Sequence, residues 1–88
     1  MLKQKNNNLQ DYDFTIIFWL DNLNADPSNY LDRLYESGCD DATVGTGLEG
    51  RISLSFIRQA NDFKEAKKSA INDVLKAIPT ATLFGVIV

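Results

Sequence analysis

The glycine-rich stretch at 38–57 constrains the fold of this chain more than any other part of its sequence. Gly45, Gly47 and Gly50 match the G-x-G-x-x-G pattern, in which a dinucleotide is held where a strand gives way to a helix. The residues after Gly50 instead alternate polar and apolar side chains, Arg-Ile-Ser-Leu-Ser-Phe, which is typical of a half-buried strand. Without a helix N-terminus, no converging N–H groups face a phosphate. We therefore interpret the stretch as a hairpin loop and not as a nucleotide site.

The order of the remaining elements follows from hydrophobic spacing and from helix start and stop signals. Asp26 with Pro27 predicts a helix start, and Gly38 predicts its left-handed end. Asp62 with Glu65 predicts a second capped helix, which Pro79 stops. Leu31, Leu34 and Tyr35 are expected on the packed side of the first helix. The predicted strands lie at 12–20, 41–44, 51–57 and 81–88.

This order, strand, helix, strand, strand, helix, strand, predicts the fold class. Right-handed crossovers fold it into an α+β, ferredoxin-like β-α-β-β-α-β sandwich. Its four-stranded antiparallel sheet has the order 4-1-3-2, and both helices lie on one face. Gly85 in the last strand indicates a bulge or a close neighbour.

A chain of 88 residues supports a single domain, which we place at 12–88. Residues 1–11 are expected to form a flexible N-terminal arm, because three consecutive asparagines favour turns and bury nothing. The longest apolar run, 16–20, is too short to cross a membrane, and the N-terminus lacks a secretion signal. A single cysteine agrees with a reducing compartment. We therefore expect a cytoplasmic protein.

The first strand is apolar on both faces, which predicts an interaction surface. Alternation places Phe18 towards the helices and therefore Ile17 and Trp19 on the uncovered side of the sheet. An exposed apolar patch of this kind marks an interface. We predict a homodimer that forms through this open sheet face, with the interface residues Ile17, Trp19, Arg51, Ser53 and Phe84.

Several chemistries are excluded by composition. With no histidine and one cysteine, the chain lacks the ligands of an iron–sulfur cluster or a catalytic zinc, and no nucleophile–base pair is present. We therefore predict no enzyme activity, no cofactor, and no catalytic, cofactor-binding or metal residues. Cys39 is expected to pack behind Gly38 as a structural residue, with a pKa raised by Asp40 and Asp41.

Charge is distributed unevenly along the chain. Residues 11–49 carry nine acids and one base, whereas residues 50–88 carry six bases and three acids. The acidic half would repel phosphate, and the third strand shows Arg51, Ser53 and Ser55 where an RNA-recognition motif displays aromatic rings. The two halves form either two solvated faces of opposite sign or surfaces that pair between subunits.

Three segments resemble a known kind of domain. They read Tyr-Leu-Asp-Arg-Leu-Tyr-Glu-Ser-Gly-Cys-Asp-Asp-Ala at 30–42, Val-Gly-x-Gly-x-x-Gly-Arg-Ile at 44–52, and Phe-x-Glu-Ala-x-x-Ser-Ala-Ile-x-Asp-Val at 63–74, followed by Ile-Pro at 78–79. Together they resemble, over residues 12 to 83, the N-terminal domain of uncharacterised bacterial DNA-binding proteins. In those proteins the domain precedes a helix-turn-helix similar to that of mercury-resistance regulators.

The resemblance implies a regulatory or self-association domain without catalytic residues. This sequence ends at Val88, before any segment that corresponds to the helix-turn-helix, so we expect a fragment of a longer protein or a stand-alone relative. In both cases we expect no direct contact of these residues with nucleic acid. The alternative hypothesis is a small-ligand-sensing regulatory module of the amino-acid-binding ferredoxin-like type, with its ligand at the subunit boundary near Gly45–Gly50.

Overall fold

The computed structural model describes residues 9–88 as one four-stranded antiparallel sheet with two α-helices. The strand order is β2-β3-β1-β4, which reads 4-1-3-2 from the opposite edge. The predicted α+β class with a four-stranded antiparallel sheet is confirmed. The elements are β1 (Gln10–Trp19), a 3₁₀ helix (Pro27–Tyr30), α1 (Leu31–Ser37), β2 (Ala42–Gly45), β3 (Arg51–Ala60), α2 (Phe63–Ala77) and β4 (Thr82–Ile87).

The central strand β1 begins before the predicted start of the domain at residue 12. Gln10 and Asp11 are already paired with Ala60 and Gln59 of β3. These pairs exist because β3 runs to Ala60, beyond its predicted end at residue 57. The predicted arm at 1–11 therefore contributes its last two residues to the sheet, while its residues 1–8 lie outside the described part of the chain.

The core lies between one face of this sheet and the helices. Every second residue of β1 faces it, and Phe14, Ile16 and Phe18 are buried. The helices complete the core with Leu34 from α1 and with small residues from α2, among them Ala66 and Ala70. Because these small side chains let α2 approach the sheet closely, the large rings of β1 and β3 fill the space between the sheet and the helix.

The first helical segment starts where Asp26 predicts, but in a tighter form. Asp26 Oδ1 accepts a hydrogen bond from Ser28 N at 3.0 Å, and Asn29 N donates to the Asp26 carbonyl at 3.1 Å. Bonds of this i to i+3 type make the first turn 3₁₀, so the α-helix begins only at Leu31. The expectation that Tyr35 packs inward is wrong, because it lies about 100° around the helix from buried Leu34 and is 51% exposed.

Gly38 ends α1 in the predicted left-handed conformation, with φ of 115°. Gly38 N donates to the Tyr35 carbonyl at 3.4 Å, and Cys39 N donates to the Leu34 carbonyl at 2.9 Å. These two bonds form a Schellman motif, which satisfies carbonyl groups that the helix leaves free. The motif turns Cys39 into the core, where it is fully buried, so its predicted packing role is confirmed.

The helix α2 begins with the predicted capping arrangement. Asp62 Oδ1 accepts a hydrogen bond from Glu65 N at 2.8 Å, while Glu65 Oε1 accepts one from Asn61 N at 3.5 Å. The reciprocal bond thus reaches Asn61 instead of the cap residue itself. Both bonds satisfy backbone N–H groups near the start of the helix.

The edge strand β4 is irregular next to Gly85, as predicted. Ile17 of β1 is opposite Gly85, but the next residue, Phe18, is opposite Leu83. Phe84 is therefore the extra residue of a β-bulge. The other expectation for Gly85, a close neighbour, is wrong. Among residues 9–88, no heavy atom outside Gly85 and its two chain neighbours lies within 4 Å of the position that a Cβ would take.

Candidate functional site

The candidate site is the sheet face that the helices do not cover, here called the open face. It is formed by the odd-numbered residues of β1 and β3, because the even-numbered residues of both strands point into the core. The register places Trp19 opposite Arg51 and Ile17 opposite Ser53. The ring centroids of Phe84 and Trp19 lie 5.4 Å apart. The five predicted interface residues therefore lie together on this face.

Trp19 stands between an aromatic ring and a cation. Phe84 contacts it edge-on, at an interplanar angle of 80°, and the Arg51 guanidinium carbon lies 5.2 Å from its ring centroid. Both contacts favour one orientation of the indole, through aromatic packing and a cation–π interaction. Trp19 is nevertheless only half-buried. Tryptophan and arginine side chains are both enriched at the centre of protein interfaces, and here the two lie next to each other.

Two isoleucines that sequence reasoning did not include extend this surface. Ile57 of β3 is 60% exposed, and Ile87 of β4 is 58% exposed. Both lie on the open face, since Ile57 is opposite Asp13 and Ile87 is opposite Thr15. The signal for Ile57 was available, because it continues the odd-numbered series of Arg51, Ser53 and Ser55. We call Ile17, Trp19, Ile57, Phe84 and Ile87 the apolar patch.

Polar groups divide the open face into a neutral centre and two charged ends. At the centre, Thr15 Oγ1 and Ser55 Oγ share a hydrogen bond of 2.9 Å. Asp11 and Asp13 lie at one end of β1, and Arg51 lies beside Trp19 at the other. Among residues 9–88, no ion pair joins any of these three charged groups to another side chain.

A small cavity borders the open face at the glycine-rich loop. Its volume is about 100 Å³, and it is lined by Gly45, Gly47, Leu48, Arg51, Ile52 and Ser53. This is space for about three water molecules, well below the roughly 300 Å³ at which small-molecule pockets begin. The residues after the loop form β3 and not a helix, as predicted. The loop therefore lacks the helix N-terminus of a dinucleotide site.

The most extensive polar cluster was missed by sequence reasoning and is structural. Arg58 occupies a core position of β3, where its Nε and Nη2 each donate to Asp41 at 2.8 Å. Its Nη1 donates to Asp73 Oδ2 at 2.9 Å, and Nη2 also reaches the Gly38 carbonyl at 2.7 Å. These hydrogen bonds, with Asp41 first, raise the pKa of Arg58 above its ordinary value. A fully satisfied cation of this kind ties elements together and offers no free group to a substrate.

Cys39 has the environment of an unreactive thiol. Burial is the main cause that raises its pKa, and the carboxylates of Asp73 and Asp41 raise it further, while Ser37 and Arg58 act in the opposite direction. The predicted direction is thus right, but the predicted main cause, the charges of Asp40 and Asp41, is corrected to burial. Because the thiolate is the nucleophile, a raised pKa disfavours reaction at this residue.

Within the described residues, no group of three or more metal-binding side chains is gathered in one place. No helix in that part of the chain has both the length and the apolar character that crossing a membrane requires. No protein-family model, curated protein or solved structure matches this chain.

Proposed function

We propose that this chain is a non-enzymatic domain that self-associates through its open face as a homodimer in a bacterial regulatory protein. The observation that carries the proposal is the apolar patch, in which half-buried Trp19 contacts the exposed ring of Phe84, and exposed Ile57 and Ile87 lie farther along the same sheet face. Exposed apolar side chains gathered on one sheet face mark a site where another surface binds. A second copy of the chain supplies a surface of the same chemistry.

The size of the open face supports this role. At about 3.3 Å per residue and about 4.8 Å between strands, the four strands give it a footprint of about 500 Å². Two copies packed face to face would bury about 1,000 Å² in total, which lies near the lower limit for specific association. We therefore expect a reversible dimer with a dissociation constant of the order of micromolar.

The helix side of the molecule is less suited to self-association than the open face. The outer surface of α2 carries exposed Lys64, Lys68 and Lys76, which favour solvent. The charged helix layer and the apolar sheet face together direct association to one side of the domain.

We assign the domain to the ferredoxin-like type because its order of strands and α-helices along the chain and its strand order, 4-1-3-2 from the β4 edge, match that fold, and because the helices pack on one sheet face. The regulatory role is supported by the resemblance of residues 12–83 to the N-terminal domain of bacterial DNA-binding proteins. In such a protein, dimerisation of this domain would bring two DNA-binding segments together.

A second function, the sensing of a small ligand at the subunit boundary, is favoured by the position of the loop cavity. Arg51 and Ser53 line both the cavity and the open face. A second copy placed on the open face would therefore enlarge and close a space that is too small and too open in the single chain. An amino acid or a similar small acid, held by Arg51, fits this chemistry.

The substitution Trp19→Glu tests the proposed dimer. A carboxylate at this position of the apolar patch would be desolvated against apolar groups, so we expect the dimer to dissociate. Sedimentation equilibrium should give about twice the monomer mass for the unaltered chain at high micromolar concentration, and the monomer mass for the variant. Circular dichroism should show the same secondary structure in both.

Two further variants make this result specific. Tyr35→Glu introduces the same charge at an exposed aromatic residue of α1, on the helix side, and should leave the dimer unchanged. Ile87→Lys alters the patch at a side chain that is largely exposed, so it should dissociate the dimer without cost to the fold. An unaltered chain that stays monomeric at high micromolar concentration would contradict the proposal.

A further inference from the structure

The charges at the two ends of the open face define how the two copies are oriented. We propose that the copies pack with their β1 strands antiparallel, so that Arg51 of each copy pairs with Asp11 and Asp13 of the other. This inference rests on the proposed self-association, and it adds the direction of packing and the ion pairs that set it.

The relevant groups lie on one face and far apart. Asp11 and Asp13 are exposed residues near the start of β1, opposite Gln59 and Ile57 of β3. Arg51 is opposite Trp19, at the other end of the same ladder. Six residues separate the levels of Asp13 and Trp19, which corresponds to about 20 Å along the strand. Arg51 therefore cannot pair with these acids within one copy.

Two-fold symmetry with aligned sheets leaves two directions of packing. If the axis runs along the strands, each end of the face meets the same end of the partner, so acids face acids and Arg51 faces Arg51. If the axis runs across the strands, each end of the face meets the opposite end of the partner. The acids of each copy then face Arg51 of the other copy. Like charges across an interface are strongly unfavourable, so the second direction is selected.

The lateral position of the guanidinium agrees with this direction. Although Arg51 belongs to β3, its guanidinium carbon lies 5.2 Å from the ring centroid of Trp19, so the side chain leans towards β1. An axis that crosses β1 between Thr15 and Ile17 brings this guanidinium to the level of the partner's Asp13 along the strand. The neutral hydrogen-bonded pair of Thr15 and Ser55 then lies close to the axis, at the level of the partner's Ile17 and the partner's Ser53, so no charges meet there.

The test is a charge exchange between two variants of the full chain. Arg51→Glu alone, and the double substitution Asp11→Lys with Asp13→Lys, should each weaken the homodimer at least about tenfold, because each creates two repulsive contacts. An equimolar mixture of the two variants should form a heterodimer with close to the original affinity, since both of its contacts are attractive. Sedimentation of the separate and mixed variants, one carrying a fluorescent label, measures all three affinities.

The other outcomes overturn the orientation in distinguishable ways. If Arg51→Glu associates best with the unaltered chain, the strands pack in parallel, because the introduced carboxylate then meets the arginine of the unaltered copy. If neither variant weakens the homodimer, these charges do not face each other in any direction. If the unaltered chain is monomeric, the proposed function itself fails. Circular dichroism and the Arg51→Gln variant, which removes charge without adding repulsion, control for loss of fold.

Discussion

Replacing Arg58 by methionine is expected to lower the free energy of unfolding by about 3 kcal/mol. The substitution removes five hydrogen bonds, to Asp41, Asp73, Ser69 and the Gly38 carbonyl. It leaves Asp41 without its cation and Asp73 with only the exposed Lys76. Breaking a buried ion pair on one side costs about 3 to 5 kcal/mol. We place this site at the lower end because the side chains of Asp41 and Asp73 are 31% and 19% exposed. Urea unfolding followed by circular dichroism measures the change.

Lys76 provides a matched control, because it is the second base beside Asp73. Its Nζ lies 3.4 Å from Asp73 Oδ1, but its side chain is 68% exposed. Exposed pairs contribute little, so Lys76→Met should change the free energy of unfolding by less than about 1 kcal/mol. Equal effects of the two substitutions would show that Arg58 does not hold α1, β2, β3 and α2 together.

Replacing Gly50 by alanine is expected to cost about 3 kcal/mol or more. Gly50 has a φ of 75°, and a Cβ there would stand 2.5 Å from the Leu23 carbonyl oxygen and 2.8 Å from Leu23 Cα. Backbone atoms cannot move aside as a flexible side chain does. The displacement would also strain the hydrogen bonds of Gly50 with Leu20 and Ala25, at 2.8 and 3.1 Å. Left-handed strain and disturbed hydrogen bonds each contribute one or more kcal/mol.

Gly47 is the matched control within the same loop. Within the described residues, no heavy atom outside Gly47 and its two chain neighbours lies within 4 Å of the position that a Cβ would take. Gly47→Ala should therefore be neutral or slightly stabilising, because it only restricts the unfolded chain. Thermal melts should separate the two variants by about 10 °C or more. A neutral Gly50→Ala would mean that the approach of the 21–25 loop to β3 is not fixed as described.

The elements that the sequence predicts correctly are those in which local signals and tertiary packing agree. Alternation in β1 and β3, the left-handed residue Gly38 and the Asp62 cap each depend on the residue's own backbone or on neighbours a few positions away. The same locality explains the placement of Trp19, because its face follows from its distance in sequence from Phe18. For this reason Ile17 and Trp19 could be assigned to the open face, whereas their position beside Arg51, Ser53 and Phe84 follows from the order of the strands.

The features that the sequence does not predict depend on partners far along the chain. Arg58 is recognisable as a base at a core position only if β3 is known to continue past Ile57, and its acceptors lie in the connection between α1 and β2 and in α2. Ile87 joins the open face through its register with β1, which the bulge at Phe84 shifts. Tyr35 is exposed because α1 packs inward at Leu34, and Tyr35 lies about 100° around the helix from it. Strand length, register and helix orientation are all set by tertiary contacts.

The two-sided character of β1 connects the fold to the proposed function. One face of this strand holds the rings of Phe14 and Phe18 in the core, and the other presents Ile17 and Trp19. A central strand that is apolar on both faces usually has a layer on each side. The described chain supplies the helix layer, and we propose that a second copy supplies the other.

Trp19 fluorescence as a function of dilution tests this claim most directly, because Trp19 is the only tryptophan of the chain. Between about 1 mM and about 1 µM the emission should move to longer wavelength as the dimer dissociates and water reaches the indole. The midpoint should coincide with the change of mass in sedimentation, and quenching by acrylamide should rise in parallel. An emission maximum and a quenching constant that stay the same over this range would contradict the account.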